Sequence, residues 1–242
     1  MSSTAPVPEQ DTTSAGRRIR RFLRHNSLGL LFMTAFLICL AGQAAAGHAE
    51  FNNQLKTDGM APLSFGAYLT TSDFAVDVAE NWQSEYLQFF LYIFATVYLL
   101  QRGSPESEEL DRSGTESDED QMVGEHAHDD SPRWAADRGW RQVVYSRSLG
   151  LVMGSIFLLS WLAQSVAGVA AYNEQQLRQL QSPVGWTEYL SSADFWSRTL
   201  QNWQSELLAV ASMAILAIYL RQRGSPESKP VGAPHSATGV EG

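Results

Sequence analysis

The chain has 242 residues, 44% of them hydrophobic, with 26 acidic against 17 basic side chains, a formal net charge of −9 and a mean hydropathy of −0.19. As averages these values describe one or two soluble acidic domains, but the apolar residues fall in four blocks between polar tails and a polar linker. The acidic residues crowd between Glu106 and Asp130, which excludes an acidic folded surface, and the one cysteine, Cys39, excludes an intramolecular disulfide framework.

In chain order, residues 1–16 are small, polar and proline-bearing, and read as a disordered tail. Arg17, Arg18, Arg20, Arg21 and Arg24 then lead into an apolar run over 28–46, long enough as a helix to cross the hydrocarbon core. Cys39 lies within this run and is expected to be a small buried hydrophobe. The basic start and Ala44-Ala45-Ala46 also resemble a cleavable export signal. The same segment recurs at 149–167, in mid-chain, where no such signal operates, so a retained transmembrane helix is expected at both places.

After Gly47 the helix is expected to run on through polar residues until Asp58-Gly59 and Pro62 break it. A short turn around Phe65 to Leu69 follows, matched by Trp186 to Leu190 in the second half. Thr70-Thr71-Ser72-Asp73 and Ser191-Ser192-Ala193-Asp194 carry hydroxyl caps that start the next helices. These run through the second and fourth apolar blocks, giving spans over 82–100 and 203–220 with somewhat polar outer ends.

Residues 108–137 are rich in Ser, Glu, Asp and Gly and read as a disordered acidic linker. His126 and His128 within it are too sparse to assign a metal. Residues 229–242 read as a second disordered tail. Arginines and lysines gather before spans one and three and after spans two and four, which places both termini and the linker on the cytoplasmic side.

The halves share one frame. Asn81-Trp82-Gln83-Ser84-Glu85, an apolar run and Gln101-Arg102-Gly103-Ser104-Pro105-Glu106-Ser107 recur, 121 residues on, from Asn202 to Ser228. The expected fold is therefore an all-α membrane protein of two parallel-repeat helical hairpins, 17–107 and 138–228, with four spans. The motif, with Ala-Gly-Gln before it and a polar, Asn-rich loop between, resembles a family of uncharacterised bacterial integral membrane proteins catalogued as a domain of unknown function. That resemblance implies membrane location and a two-span unit, and brings no activity.

Few residues invite chemistry. Gln43 and Glu85, on antiparallel spans, fall at similar depth near the outer surface, as do Gln164 and Glu206, so each pair is expected to meet in a hydrogen bond. Trp82 and Trp203 are expected at the outer interface, Arg102 and Arg223 at the inner one. No catalytic, cofactor or metal constellation and no nucleic-acid partner is expected. The leading expectation is a structural or accessory protein of the bacterial inner membrane, its partners the lipid bilayer and other membrane proteins or further copies of itself. The alternative is a small oligomeric channel or transporter using the Gln/Glu layer.

Overall fold

The computed structural model describes residues 12–109 and 113–240, with side chains from residue 16 onward. The disorder expected of residues 1–11, 110–112 and 241–242 lies outside the described residues. Among those described, every regular element is helical: α1 (Thr12–His25), α2 (Ser27–Thr57), α3 (Phe65–Tyr68), α4 (Ser72–Tyr98), a 3-10 turn (Gly124–His126), α5 (Arg133–Ala136), α6 (Trp140–Tyr145), α7 (Ser148–Arg178), α8 (Trp186–Leu190) and α9 (Ala193–Tyr219). Two of them, α2 and α7, are long and apolar enough to cross a membrane. Both α4 and α9 are 27 residues long, but their first halves carry more polar side chains.

The chain divides into two compact units, residues 1–74 and 75–242. In the first, α2 outruns its apolar stretch because no glycine or proline follows Gly47 until Gly59, which ends the helix at φ +73°. There the Met60 N–H donates to the Leu55 carbonyl (2.7 Å), a Schellman closure. The chain doubles back on Asn52, whose side chain accepts from the Leu63 N–H (2.7 Å) and donates to the Leu63 carbonyl (3.0 Å). This pins Tyr68 of α3 against Phe51 and Leu55, forming a small core with Leu63 and Phe74. Gly47 lies under the Tyr68 hydroxyl, where a Cβ would collide with it. The Thr71 hydroxyl accepts from the Phe74 N–H (3.3 Å) at the start of α4. The first half of α2 is bare: Leu28, Phe32 and Ile38 are 71%, 65% and 66% exposed. Cys39, expected to be buried, is exposed on the same stretch, where Leu37 and Ile38 beside it are also more than half exposed.

The second unit repeats these local devices 121 positions on. Asn173 accepts from the Val184 N–H (2.8 Å) and donates to its carbonyl (2.9 Å), Gly168 lies under Tyr189, and the Ser192 hydroxyl caps α9 through the Phe195 N–H (3.2 Å). Leu180 takes the place of Gly59 and adopts φ +57°. Helix α4 packs on α7 where Gly150 and Gly154 leave room for the rings of Phe94 and Phe90; a Cβ on Gly154 would come within 2.8 Å of Phe90.

Three segments expected to be disordered carry structure: residues 12–16 of the amino-terminal tail begin α1, and two others are folded in part. The described part of 108–137 carries the 3-10 turn and α5, with the Arg138 guanidinium beside Glu125 at 3.3 Å. Residues 229–240 dock on the ends of α4 and α9, since they carry the donors and acceptors that those helix ends lack. The Gly103 N–H donates to the Thr238 hydroxyl (2.9 Å), and the Gly239 N–H to the Ser104 carbonyl (3.1 Å). Composition hides both, because the bonds are made by backbone and small polar groups rather than by an apolar pattern.

Candidate functional site

Two polar constellations stand out in the second unit. The first is a buried seam among α4, α7 and α9. Gln83 and Ser84 come from α4, Ser160, Gln164 and Ser165 from α7, and Thr199 from α9; Gln83, Gln164 and Thr199 are fully buried. The Trp203 indole N–H donates to Gln83 Oε1 (2.7 Å), Gln164 Nε2 to the Thr199 hydroxyl (3.4 Å), and the Trp186 indole to Ser165 Oγ (3.1 Å). The rings of Phe157, Phe195, Trp196 and Trp203 surround Trp161 at centroid distances of 5.7–6.3 Å. Gln83 Nε2, Gln164 Oε1 and Trp161 Nε1 are buried without a protein hydrogen-bond partner. Such groups cost about 1–3 kcal/mol each if left dry, so the seam has unfilled capacity for both donors and acceptors. Its groups are amides, hydroxyls and indoles, suited to binding and helix registration.

Beside the seam, Arg198 reaches Glu80 (3.4 Å) and Asp194 (3.5 Å), and the Tyr189 hydroxyl donates to Asp194 (3.3 Å). Burial works to lower the Arg198 pKa, but the Glu80 and Asp194 carboxylates outweigh it and hold the guanidinium above its ordinary value. Burial raises Glu80, with Arg198 opposing, and burial together with Asp194 raises Tyr189.

The residues singled out from sequence are placed differently. Gln164 pairs with Thr199, not with Glu206. Thr199 lies seven residues nearer the start of α9, about 10 Å along the axis, so the helices are offset by two turns from the register that equal depth suggested. Glu206 is half-buried, within electrostatic range of Glu85, which is exposed on α4. Gln43 stands half-buried on α2 in the first unit. Trp203 joins the seam, whereas Trp82 is 43% exposed; Arg102 and Arg223 are both exposed just beyond α4 and α9. Sequence reasoning missed Gln83, Thr199 and Arg198. Gln83 sits inside the repeated Asn-Trp-Gln-Ser-Glu motif, and its repetition was the available signal.

The second constellation caps the ends of α4 and α9. Gly103 (φ +87°) and Gly224 (φ +80°) turn two matching loops. In one, the Gln101 N–H donates to Ser107 Oγ (3.0 Å); in the other, the Gln222 N–H donates to Ser228 Oγ (2.9 Å). The loops meet at Glu106 and Glu227, whose carboxyls share a hydrogen bond. Burial, that bond and the Glu227 charge push the Glu106 pKa up to about 7. Lys229 is buried, and its ammonium donates to the carbonyls of Gly103 (2.6 Å), His235 (3.0 Å), Ala237 (3.1 Å) and Pro234 (3.3 Å). Burial, helped by Arg221, lowers its pKa. Arg221 also donates to the terminal carbonyls of α9, at Ile218 (3.0 Å) and Leu220 (2.8 Å).

A family model described as a domain of unknown function, DUF6766, matches residues 19–240. No curated protein and no solved structure matches the chain.

Proposed function

The chain belongs to the DUF6766 family, and from that premise we propose that it is a multi-pass protein of the bacterial inner membrane, structural or accessory in role, acting through protein partners rather than by catalysis. It has four spans, over about 28–46, 82–100, 149–167 and 203–220 along α2, α4, α7 and α9, in two parallel hairpins that descend from one duplicated two-span unit, with both termini and the linker cytoplasmic. The observation that carries this reading is the first half of α2, where Leu28, Leu31, Phe32, Met33, Leu37 and Ile38 are all more than half exposed. Water penalises such a surface at roughly 25 cal/mol per Å²; a bilayer does not. Its counterpart α7 has the same 31-residue length and the same pairing with a short helix and an Asn-locked turn. The basic flanks of the spans support the orientation.

Alkaline phosphatase fusions test the topology. A fusion at residue 58 is expected to be active and one at residue 120 silent; activity at residue 120 would overturn the orientation. An amino-terminal epitope retained in the membrane fraction is expected, and its loss by cleavage after Ala46 would convert α2 from a span into a leader.

The second reading, a small oligomeric channel or transporter, is favoured by the unfilled groups of Gln83, Gln164 and Trp161. Ion flux in liposomes separates the two. The accessory reading predicts none, while a flux removed by Gln83→Leu together with Gln164→Leu in a still-folded protein establishes transport.

A further inference from the structure

The segment just before α7 has a surface that neither the hairpins nor the two polar constellations use. In α6, Trp140, Val143 and Val144 fall at i, i+3 and i+4 and share one helix face. All three are exposed, Trp140 by 67%. Trp134 of α5 is also exposed and meets Trp140 edge to face at 6.3 Å, extending the apolar patch.

Charge changes sign at this point in the chain. Residues 106–130 hold eleven carboxylates against Arg112, whereas residues 131–147 hold Arg133, Arg138, Arg141 and Arg147 against Asp137, a net charge of +3. The pairs that Arg138 and Arg141 make, with Glu125 (3.3 Å) and Asp137 (3.6 Å), are on the surface and weak. Only Ser146 and Arg147 separate α6 from α7, so α6 is held where α7 would enter the bilayer.

We propose that residues 131–147 form a foot lying on the anionic cytoplasmic leaflet, with the Trp140–Val143–Val144 face at the acyl boundary and the arginines on lipid phosphates. The inference rests on the four-span reading. Its physical basis is an exposed apolar stripe, indoles that favour the headgroup level, and cations matched to an anionic surface. The acidic half of the linker is repelled by the same surface, so the chain leaves the membrane near Pro132. The foot thereby fixes where α7 enters, and leaves the acidic stretch free in the cytoplasm.

The full chain in a Cys39→Ser background, spin-labelled at Val144→Cys, Asp120→Cys or Leu159→Cys, tests this in vesicles of phosphatidylcholine with or without phosphatidylglycerol. In anionic vesicles the label at 144 is expected to be oxygen-accessible and nickel-shielded, at headgroup depth, and the label at 120 aqueous. Arg138→Gln with Arg141→Gln, which leaves Arg147 to hold the orientation, is expected to weaken lipid contact about fivefold for each arginine removed. A label at 144 that stays aqueous in both vesicle types while 159 is buried would overturn the foot alone. One shielded from both reagents whatever the lipid would show a protein covering the stripe, and would also overturn it. A label at 159 that is itself aqueous would defeat the four-span reading on which the foot rests.

Discussion

Leu180 and Glu106 are each held in a state that their own chemistry disfavours. Leu180 occupies the left-handed region at φ +57° and is 95% exposed, at the position where the first unit has Gly59. An L side chain pays about 1–2 kcal/mol there and glycine does not. Leu180→Gly is therefore expected to stabilise the second unit by about 1 kcal/mol, read as a rise in the thermal midpoint in detergent; no change would mean that the helix end relaxes away from this turn. Glu106 is protonated more readily in the folded cap than in the open chain, with its pKa raised to about 7. The contribution of the Glu106–Glu227 contact is thus fully present in acid, below the ordinary carboxylate pKa, and is lost as pH rises through about 7. Protease cleavage within 229–240 is expected to speed up between about pH 5 and pH 8, and Glu106→Gln to flatten that dependence. A wild-type rate that is flat over the same range would refute the contact.

Helix pairs in this protein are set by small devices at their turns. Asn173 gives the backbone between α7 and α8 both an acceptor and a donor at Val184, and Asn52 does the same at Leu63. Removing such a side chain leaves two half-buried backbone groups unpaired, so Asn173→Ala is expected to cost about 1–3 kcal/mol. Equilibrium unfolding in mixed micelles reads this loss, and Asn173→Asp, which keeps the acceptor, should lose less. Equal losses would show that the bond accepted from the Val184 N–H carries nothing.

Across the whole molecule, the described linker makes only local turns and a few polar contacts, such as Gly114 N–H to the Val97 carbonyl at 2.7 Å. Excising residues 116–130 removes the 3-10 turn and the surface pair with Arg138 but no packed apolar side chain apart from Val123. Loop closure depends only weakly on loop length, so membrane insertion and the thermal midpoint are expected to stay nearly unchanged. A large drop in folded protein after the excision would show that this segment supports the second unit, in which it lies.

The sequence alone determined the four long helices α2, α4, α7 and α9, because those signals are local. Apolar runs, the hydroxyls before Phe74 and Phe195, Gly59 and Pro62 act within a turn or two of themselves. It also showed the two matching halves and the two recurring loops, since identity at a fixed offset needs no folding to be seen. The contacts of residues 229–240 and the partner of Gln164 were not legible, for the opposite reason. Depth read from span length is uncertain by a turn or more, while a hydrogen bond closes over about 3 Å, so Thr199 rather than Glu206 receives Gln164. Lys229 meets the Gly103 carbonyl and Glu106 meets Glu227 through contacts between segments far apart in the chain. Only the folded arrangement of the loops that follow α4 and α9 fixes those distances, and tertiary structure alone decided them.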